Sequence, residues 1–328
     1  ICYGKSHEAT CCMAKRVQMR RCCPWRCLWP KGFATDRSML GSTKASESSA
    51  LASTAQLEDE SKSEEAATKP SFPFEPRPLT EEERESAWTA ANFFDAQADQ
   101  EKPVALWILG PSSVGKSTIS VKAGPTFGIP RKPEEGTPTK DVRRQLDAVL
   151  VDGEFMRDAH GLWHEWVQTP DWRSAYPGLK ATINREKDLM CAEAVSQRKH
   201  LIIPQTALNL QKALSEMEAM TKSGYENNVL AVVAPLADCQ RRGHRRELET
   251  GKRYQPAEFQ RSISAIAPLI AASNGRYSVV RVRELPEEAL GMEYVSLAEG
   301  FVSTPLTALE IEHLEVNIGE AVQPAPDG

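Results

Sequence analysis

No stretch of this 328-residue chain approaches the roughly 18 uninterrupted apolar residues that a membrane-spanning helix needs. The longest apolar runs, at 104–109 and 229–236, are strand-sized. Excess positive charge is missing too: the net charge is −5, whereas a general nucleic-acid binder needs a basic surface for its phosphate contacts. Cysteine is scarce where a core must form. Cys2, Cys11, Cys12, Cys22, Cys23 and Cys27 crowd the beginning, and only Cys191 and Cys239 lie beyond, so disulfides do not hold the core. The early doublets lack C-x-x-C spacing and have only His7 beside them, which argues against a zinc site. No internal repeat is present. A soluble protein without membrane or nucleic-acid partners is expected, in the cytoplasm or, given the basic start, in an organelle.

That start carries Lys5, Lys15, Arg16, Arg20, Arg21, Arg26, Lys31 and Arg37 against Glu8 and Asp36. This is the composition of a transit segment, and an unstructured extension or a gene-model artefact fits it as well. From 38 to about 78 the chain turns to Ser, Ala, Thr, Glu and Lys with almost no large apolar residues, too few to offset chain entropy. The expected division is a disordered extension over 1–79, a domain over 80–285 and a C-terminal extension over 286–328. Phe72 and Phe74, between prolines, suit an extended arm. Thr80 followed by glutamates and by Trp88, Ala91 and Phe94 at helical spacing predicts a leading helix.

Beyond it, apolar runs alternate with amphipathic segments, the pattern of a parallel sheet covered on both faces. Five strands are predicted at 104–109, 148–152, 201–205, 228–235 and 277–282. Helices are predicted at 115–122, 154–167, 179–198, 208–223, 236–250 and 256–272, with a long Gly- and Pro-rich connection over 123–139. The fold class is α/β of the P-loop NTPase type.

The sharpest chemical signal is Gly110, Pro111, Ser112, Ser113, Val114, Gly115, Lys116, Ser117 and Thr118, a G-x-x-x-x-G-K-[ST] stretch between a predicted strand and a predicted helix. Glycines let the backbone wrap phosphate oxygens, whose charge the helix N-terminus favours. Lys116 would reach the β- and γ-phosphates of ATP, Ser117 would complete Mg²⁺ coordination, and Thr118 would lie nearer the α-phosphate.

The second signal is a buried strand ending in Asp152 and Glu154 around Gly153, followed by Arg157 and His160. Ligands of open parallel sheets gather at strand ends, where a carboxylate can support Mg²⁺ or accept a hydroxyl proton. Asp152 serves as the metal-side candidate, and either acid as the base. Third, Arg241, Arg242, Arg245, Arg246, Lys252 and Arg253 follow the fourth strand. Cations placed there can neutralise a transferring phosphoryl group, and Arg246 and Arg253 are the two singled out.

This arrangement resembles the zeta toxin family of P-loop kinases, related in design to chloramphenicol phosphotransferase, over about 87–283. Asp152, Glu154, Arg157 and His160 fall on the family's acidic, acidic, basic and histidine positions. The lid arginines are similar in Arg246 and Arg253 before Pro256. The resemblance implies that Glu154 is the general base, with Arg157 and His160 on the substrate. The family usually has Asp at the Glu154 position. It also tends to place an acid after the third strand, where this chain has Pro204, Gln205 and Thr206. Those last two therefore become substrate candidates.

The activity implied is transfer of the ATP γ-phosphoryl group to a hydroxyl of a small molecule, nucleotide sugars among them. A nucleotide-driven ATPase or switch is the alternative. It is disfavoured because no guanine-reading N-K-x-D stretch occurs and the acidic pair opens a helix bearing Arg157 and His160. A non-catalytic ATP-binding module is the third reading. No inhibitor protein is identifiable from the sequence.

Overall fold

Six consecutive apolar residues, Val104–Leu109, form β1, and all six are buried. Alternate side chains of a strand point to opposite faces, so burial at every position means that both faces of the sheet are covered here. A computed structural model describes residues 74–132, 145–169, 172–284 and 292–323, all within one unit, Glu64–Gly328. The expected extension up to residue 73, with Phe72, and the 133–139 part of the expected connection lie outside the described residues.

The chain enters through α1 (Glu81–Ala90), opened by a capping box in which Thr80 and Glu83 satisfy each other's backbone amides. Trp88 and Ala91 are buried as the spacing predicted. Phe94 is 54% exposed instead, because the helix ends at Ala90 and Asn92, at φ 65°, turns Phe93 inward in its place. After β1 come α2 (Lys116–Ala123), β2 (Val149–Leu150), α3 (Gly153–Ala159), α4 (Gly161–Trp166) and α5 (Trp172–Ser196). Then follow β3 (Leu201–Gln205), α6 (Leu210–Lys222), β4 (Glu226–Val233), α7 (Leu236–Thr250), α8 (Glu258–Ser264) and α9 (Ile266–Ala272). β5 (Arg276–Glu284), β6 (Met292–Phe301) and α10 (Ala308–Ala321) complete the described fold.

The sheet order is β2-β3-β1-β4-β5-β6. The five strands expected from the sequence are all parallel, and the structure adds a sixth, β6, antiparallel to β5. Residues 292–301, expected within a terminal extension, are thus hydrogen-bonded into the sheet edge.

Two helices expected to be continuous are divided, each for a local reason. Pro268 lacks the N–H that would bond to Ser264 four residues back, and its ring crowds that carbonyl, so α8 stops at Ser264 and α9 begins at Ile266. His160, with extended backbone (φ −79°, ψ 119°), closes α3 and caps α4.

Pro204 has a comparable effect on the sheet. Val149 N–H donates to His200 O and Val151 N–H to Ile202 O, so the polar groups of residue 202 face β2 and those of residue 204, two further along, face the same way. With no N–H at Pro204 that ladder has no donor with which to continue, and β2 is two residues long. The chain is released at Asp152.

Candidate active site

The strand ends β1, β2 and β3 deliver the three parts of the site, and β1 supplies the most constrained one. Gly110 has φ 142°, and a Cβ there would stand 2.1 Å from the Val232 carbonyl oxygen of β4, so only glycine fits. Gly115, at φ 103°, is the left-handed N-cap of α2. Between them Ser113 also takes a left-handed backbone, φ 64°, unusual for a non-glycine residue and a mark of a constrained loop. Val114 is fully buried and anchors the loop in the core. Pro111 is buried, and Ser117 and Thr118 are exposed at the start of α2.

Lys116 curls back along this loop, its Nζ donating to the Gly110 carbonyl at 2.7 Å and the Pro111 carbonyl at 2.8 Å. Burial pushes its ammonium down to about 7, the charges of Lys252 and Arg246 push the same way, and Asp152 opposes them. The lysine of the loop, an acid from the end of β2 and two cations from the α7 region therefore share one electrostatic neighbourhood.

Helix α7 is docked directly on the loop. Arg242 Nε donates to Ser113 O at 2.9 Å, and Arg246 Nη2 donates to Ser112 Oγ at 2.8 Å, one helical turn further. Arg246, expected from the sequence as a lid arginine on the transferred phosphoryl group, is thus hydrogen-bonded to the loop itself. Arg253 is exposed, while Lys252 beside it is half-buried.

The acidic pair sits at the mouth of β2. Asp152 is the N-cap of α3, its Oδ1 accepting from Glu154 N–H at 3.0 Å, and both carboxylates are half-buried. Capping and facing the phosphate loop are compatible roles, because a helix N-terminus holds a carboxylate in either case. Arg157 is buried, with its guanidinium 2.8 Å from Asp158 and 5.0 Å from the centre of the Trp163 ring. His160 is fully buried. Its Nε2 meets Arg77 O at 3.1 Å and its Nδ1 accepts from Leu162 N–H at 3.3 Å, and burial holds its pKa below the ordinary value. The structure places this imidazole inside the α3–α4 bend, as a cap.

Behind these acids stands α1. Glu83 is bidentate to Arg77 (2.7 and 2.7 Å) and accepts from Gly161 N–H at 2.8 Å, and its carboxyl is pulled down to about 2, chiefly by the Arg77 hydrogen bond. Buried Asn92 donates to the carbonyls of Leu146 and Ala148, and Leu150 N–H donates to Ala91 O. The outer edge of β2, unpaired in the sheet, is thereby completed from residues 54–59 positions upstream in sequence.

From β3, Gln205 pairs in register with Leu109, the residue before the phosphate loop, and is half-buried together with Thr206. Gln205 Nε2 donates to Glu216 Oε2 of α6 at 3.3 Å. Burial raises the Glu216 pKa, with Lys212 opposing. Glu216 was not anticipated, since a carboxylate on a helix face looks like any solvated charge until the packing is known. β6 contributes as well. A Cβ on Gly115 would lie 3.2 Å from Met292 Sδ and 3.8 Å from the Tyr294 hydroxyl, so this strand walls the loop near Thr118.

The residues fit a nucleoside triphosphate with magnesium by the chemistry of their donors. The loop presents a helix N-terminus and an ammonium, and the Ser113 hydroxyl is buried without a hydrogen-bond partner among the described residues. No cluster of three His, Cys, Asp or Glu side chains suited to a metal occurs among the described residues. Ser117 and Asp152 suit Mg²⁺, an ion that commonly takes one or two protein oxygens and completes its shell with phosphates and water.

No family model matches the chain, and no curated protein matches it in sequence. Its fold recurs among solved structures. The AvrRxo1-ORF1:AvrRxo1-ORF2 complex with sulphate ions matches with a TM-score of 0.50 at 16% identity, covering 75% of this chain and 72% of that one. The AvrRxo1-ORF1:-ORF2 structure with ATP gives 0.49 at 15% identity, over 75% and 71%. The PezAT chromosomal toxin-antitoxin system of Streptococcus pneumoniae gives 0.47 at 14% identity, over 73% and 94%. At such identities the likeness concerns the fold alone, a mixed α/β fold shared with the complex that holds sulphate ions.

Proposed function

We propose that this chain is a phosphotransferase that moves the γ-phosphoryl group of ATP to a hydroxyl of a small molecule. The observation that carries the reading is the shared neighbourhood of Lys116, Asp152, Arg246 and Lys252, in which a phosphate loop, an acid and the α7 cations meet. Positioning and charge neutralisation are most of what phosphoryl transfer asks of a protein.

In this reading the loop amides and Lys116 bind the β- and γ-phosphates, for which Lys116 exchanges its two carbonyl partners. Ser117 and Asp152 would hold Mg²⁺, which when bound offsets phosphate charge. Glu154, with Asp152 beside it, takes the proton of the attacking hydroxyl. Arg246 faces the charge that builds on the transferred group. Gln205 and Thr206 donate to the acceptor from the neighbouring strand end. Arg157 lines the same side, tied to Asp158 and Trp163. ATP and a hydroxyl-bearing small molecule, with nucleotide sugars as the first class to try, are the partners this arrangement suits.

Incubation with γ-labelled ATP and a metabolite extract, followed by identification of the labelled product, tests the proposal. Label should pass to an acceptor with wild type and not with Glu154→Gln, although the variant still binds ATP. ATP consumed at full rate with no acceptor would replace a kinase by an ATPase. Binding without turnover in any extract would leave a nucleotide-binding module.

A further inference from the structure

Three features of α7 and the turn after it set the two basic residues of that turn apart. First, Arg242 and Arg246 dock one side of α7 on Ser113 and Ser112, which orients the helix against the phosphate loop. Second, α7 ends at Gly251 in a left-handed conformation (φ 69°), with its N–H bonded to Glu247 O, so the chain reverses and runs back along the helix. Third, the returning segment is locked. Tyr254 N–H donates to Glu247 Oε2 at 3.2 Å, and the Tyr254 ring lies so close over Gly243 that a Cβ there would approach it to 2.3 Å. With Gly251 and Tyr254 both pinned, the two residues between them are sorted. Lys252 is half-buried and Arg253 is exposed.

Building on the phosphotransferase reading above, we infer that Lys252, rather than Arg253, is the cation that closes on the transferred phosphoryl group opposite Lys116. Its ammonium lies among Asp152 and Glu154, which attract it, and Arg246 and Arg157, which repel it. Among the described residues the charges of Lys252 and Arg246 both act on Lys116. Among the described residues Lys252 forms no ion pair of its own. A half-buried ammonium near the like charges of Arg246 and Arg157 is costly as it stands, and an anionic guest removes that cost. An anion that Lys116 and Lys252 would both attract is a phosphoryl group in transfer, whose charge is spread over its equatorial oxygens. Arg253, from the outer side of the turn, is left to solvent.

The test uses the full chain and a probe that needs no acceptor. Affinities for ADP with Mg²⁺, and for the same mixture with aluminium fluoride, which mimics a phosphoryl group in transfer, are measured by calorimetry for wild type, Lys252→Ala, Lys252→Arg and Arg253→Ala. Wild type should bind the fluoride complex much more tightly than ADP. Lys252→Ala should lose about 100-fold of that gain while its ADP affinity stays within about threefold, and Lys252→Arg should keep most of the gain. Arg253→Ala should match wild type. If Lys252→Ala keeps the gain, or Arg253→Ala loses it, the assignment is overturned although the kinase reading stands. If wild type shows no gain at all, the kinase reading falls and the assignment with it. ADP binding that survives in every variant reports that each has folded.

Discussion

The two halves of the site are built in opposite ways. The phosphate loop carries its own geometry: three left-handed residues, Gly110, Ser113 and Gly115, lie within six positions, and Lys116 bonds to carbonyls of the same loop. The acidic half does not. Asp152 and Glu154 hang from a two-residue edge strand that Pro204 cuts short, and its outer edge is completed by Ala91 and Asn92 and its following bend by Arg77 and Glu83. One half is local in sequence and the other is borrowed. Damage to the first should therefore abolish binding, and damage to the support of the second should impair turnover while binding survives.

The largest effect is expected in the self-contained half. Lys116→Ala should weaken ATP binding by about 1,000-fold or more, the scale seen when a buried charged hydrogen-bonding partner is removed. Gly110→Ala should be as severe without touching any charge, because its Cβ has no room beside Val232 O. If calorimetry shows ATP binding by Gly110→Ala near wild type, the loop is not the rigid element described. Next comes the acid that needs its helix cap. Glu154→Gln should lower the transfer rate by about 100- to 10,000-fold and leave ATP affinity within about twofold. Equal loss in Asp152→Asn would mean that the acids act as a pair, whereas a loss of ATP affinity confined to Asp152→Asn would separate a metal role from a base role.

The same contrast decides what the sequence could reveal. The loop was legible because its chemistry is encoded in nine consecutive residues between a strand and a helix, and the boundaries of β1, β3 and α7 coincided with those expected. The acidic pair was legible as residues but not as a placed site. Nothing in the sequence around Asp152 announces that Glu83, about 70 positions earlier, holds the bend that follows. His160 illustrates the cost of that blindness. A histidine at a family position suggested a substrate contact, yet its surroundings are a backbone carbonyl and a helix start. Arg253 was singled out over Lys252 from its place before Pro256, and only the turn fixed by Gly251 and Tyr254 shows Lys252 half-buried and Arg253 exposed. β6 escaped notice because its half-exposed residues carry little apolar alternation, and it gains its place by pairing with β5.

The borrowed support gives a third, smaller effect. Glu83→Gln should destabilise the fold by about 2 kcal/mol, since Arg77 and the Gly161 amide lose a charged partner. It should lower turnover by about tenfold, with ATP affinity nearly unchanged. Because the Glu83 pKa is depressed to about 2, its contribution is complete above the ordinary carboxylate range and is lost as pH falls towards about 2. Thermal melts from neutral to acid pH should show a steeper decline for wild type than for the variant. Parallel curves would mean that the clamp is not a stabilising element.

The mildest probe leaves every residue in place and changes only pH. In the free protein the Lys116 ammonium is held down to about 7, first by burial and then by Lys252 and Arg246. Phosphates favour its charged form, so binding raises its pKa again and draws in a proton wherever the free lysine has lost one. Above about pH 7 ATP affinity should therefore fall by up to tenfold per pH unit, until the pKa of the bound state is reached. The nucleotide's own phosphate titrates lower, near about 6, and runs the other way, its extra charge strengthening binding as pH rises. Calorimetry in buffers of different ionisation enthalpy should show uptake approaching one proton at about pH 8.5. Lys252→Ala, by removing a charge that acts on Lys116, should shift the onset of the decline to higher pH. A profile that is flat in wild type, or unmoved in the variant, would mean that the two lysines do not face each other across one phosphate.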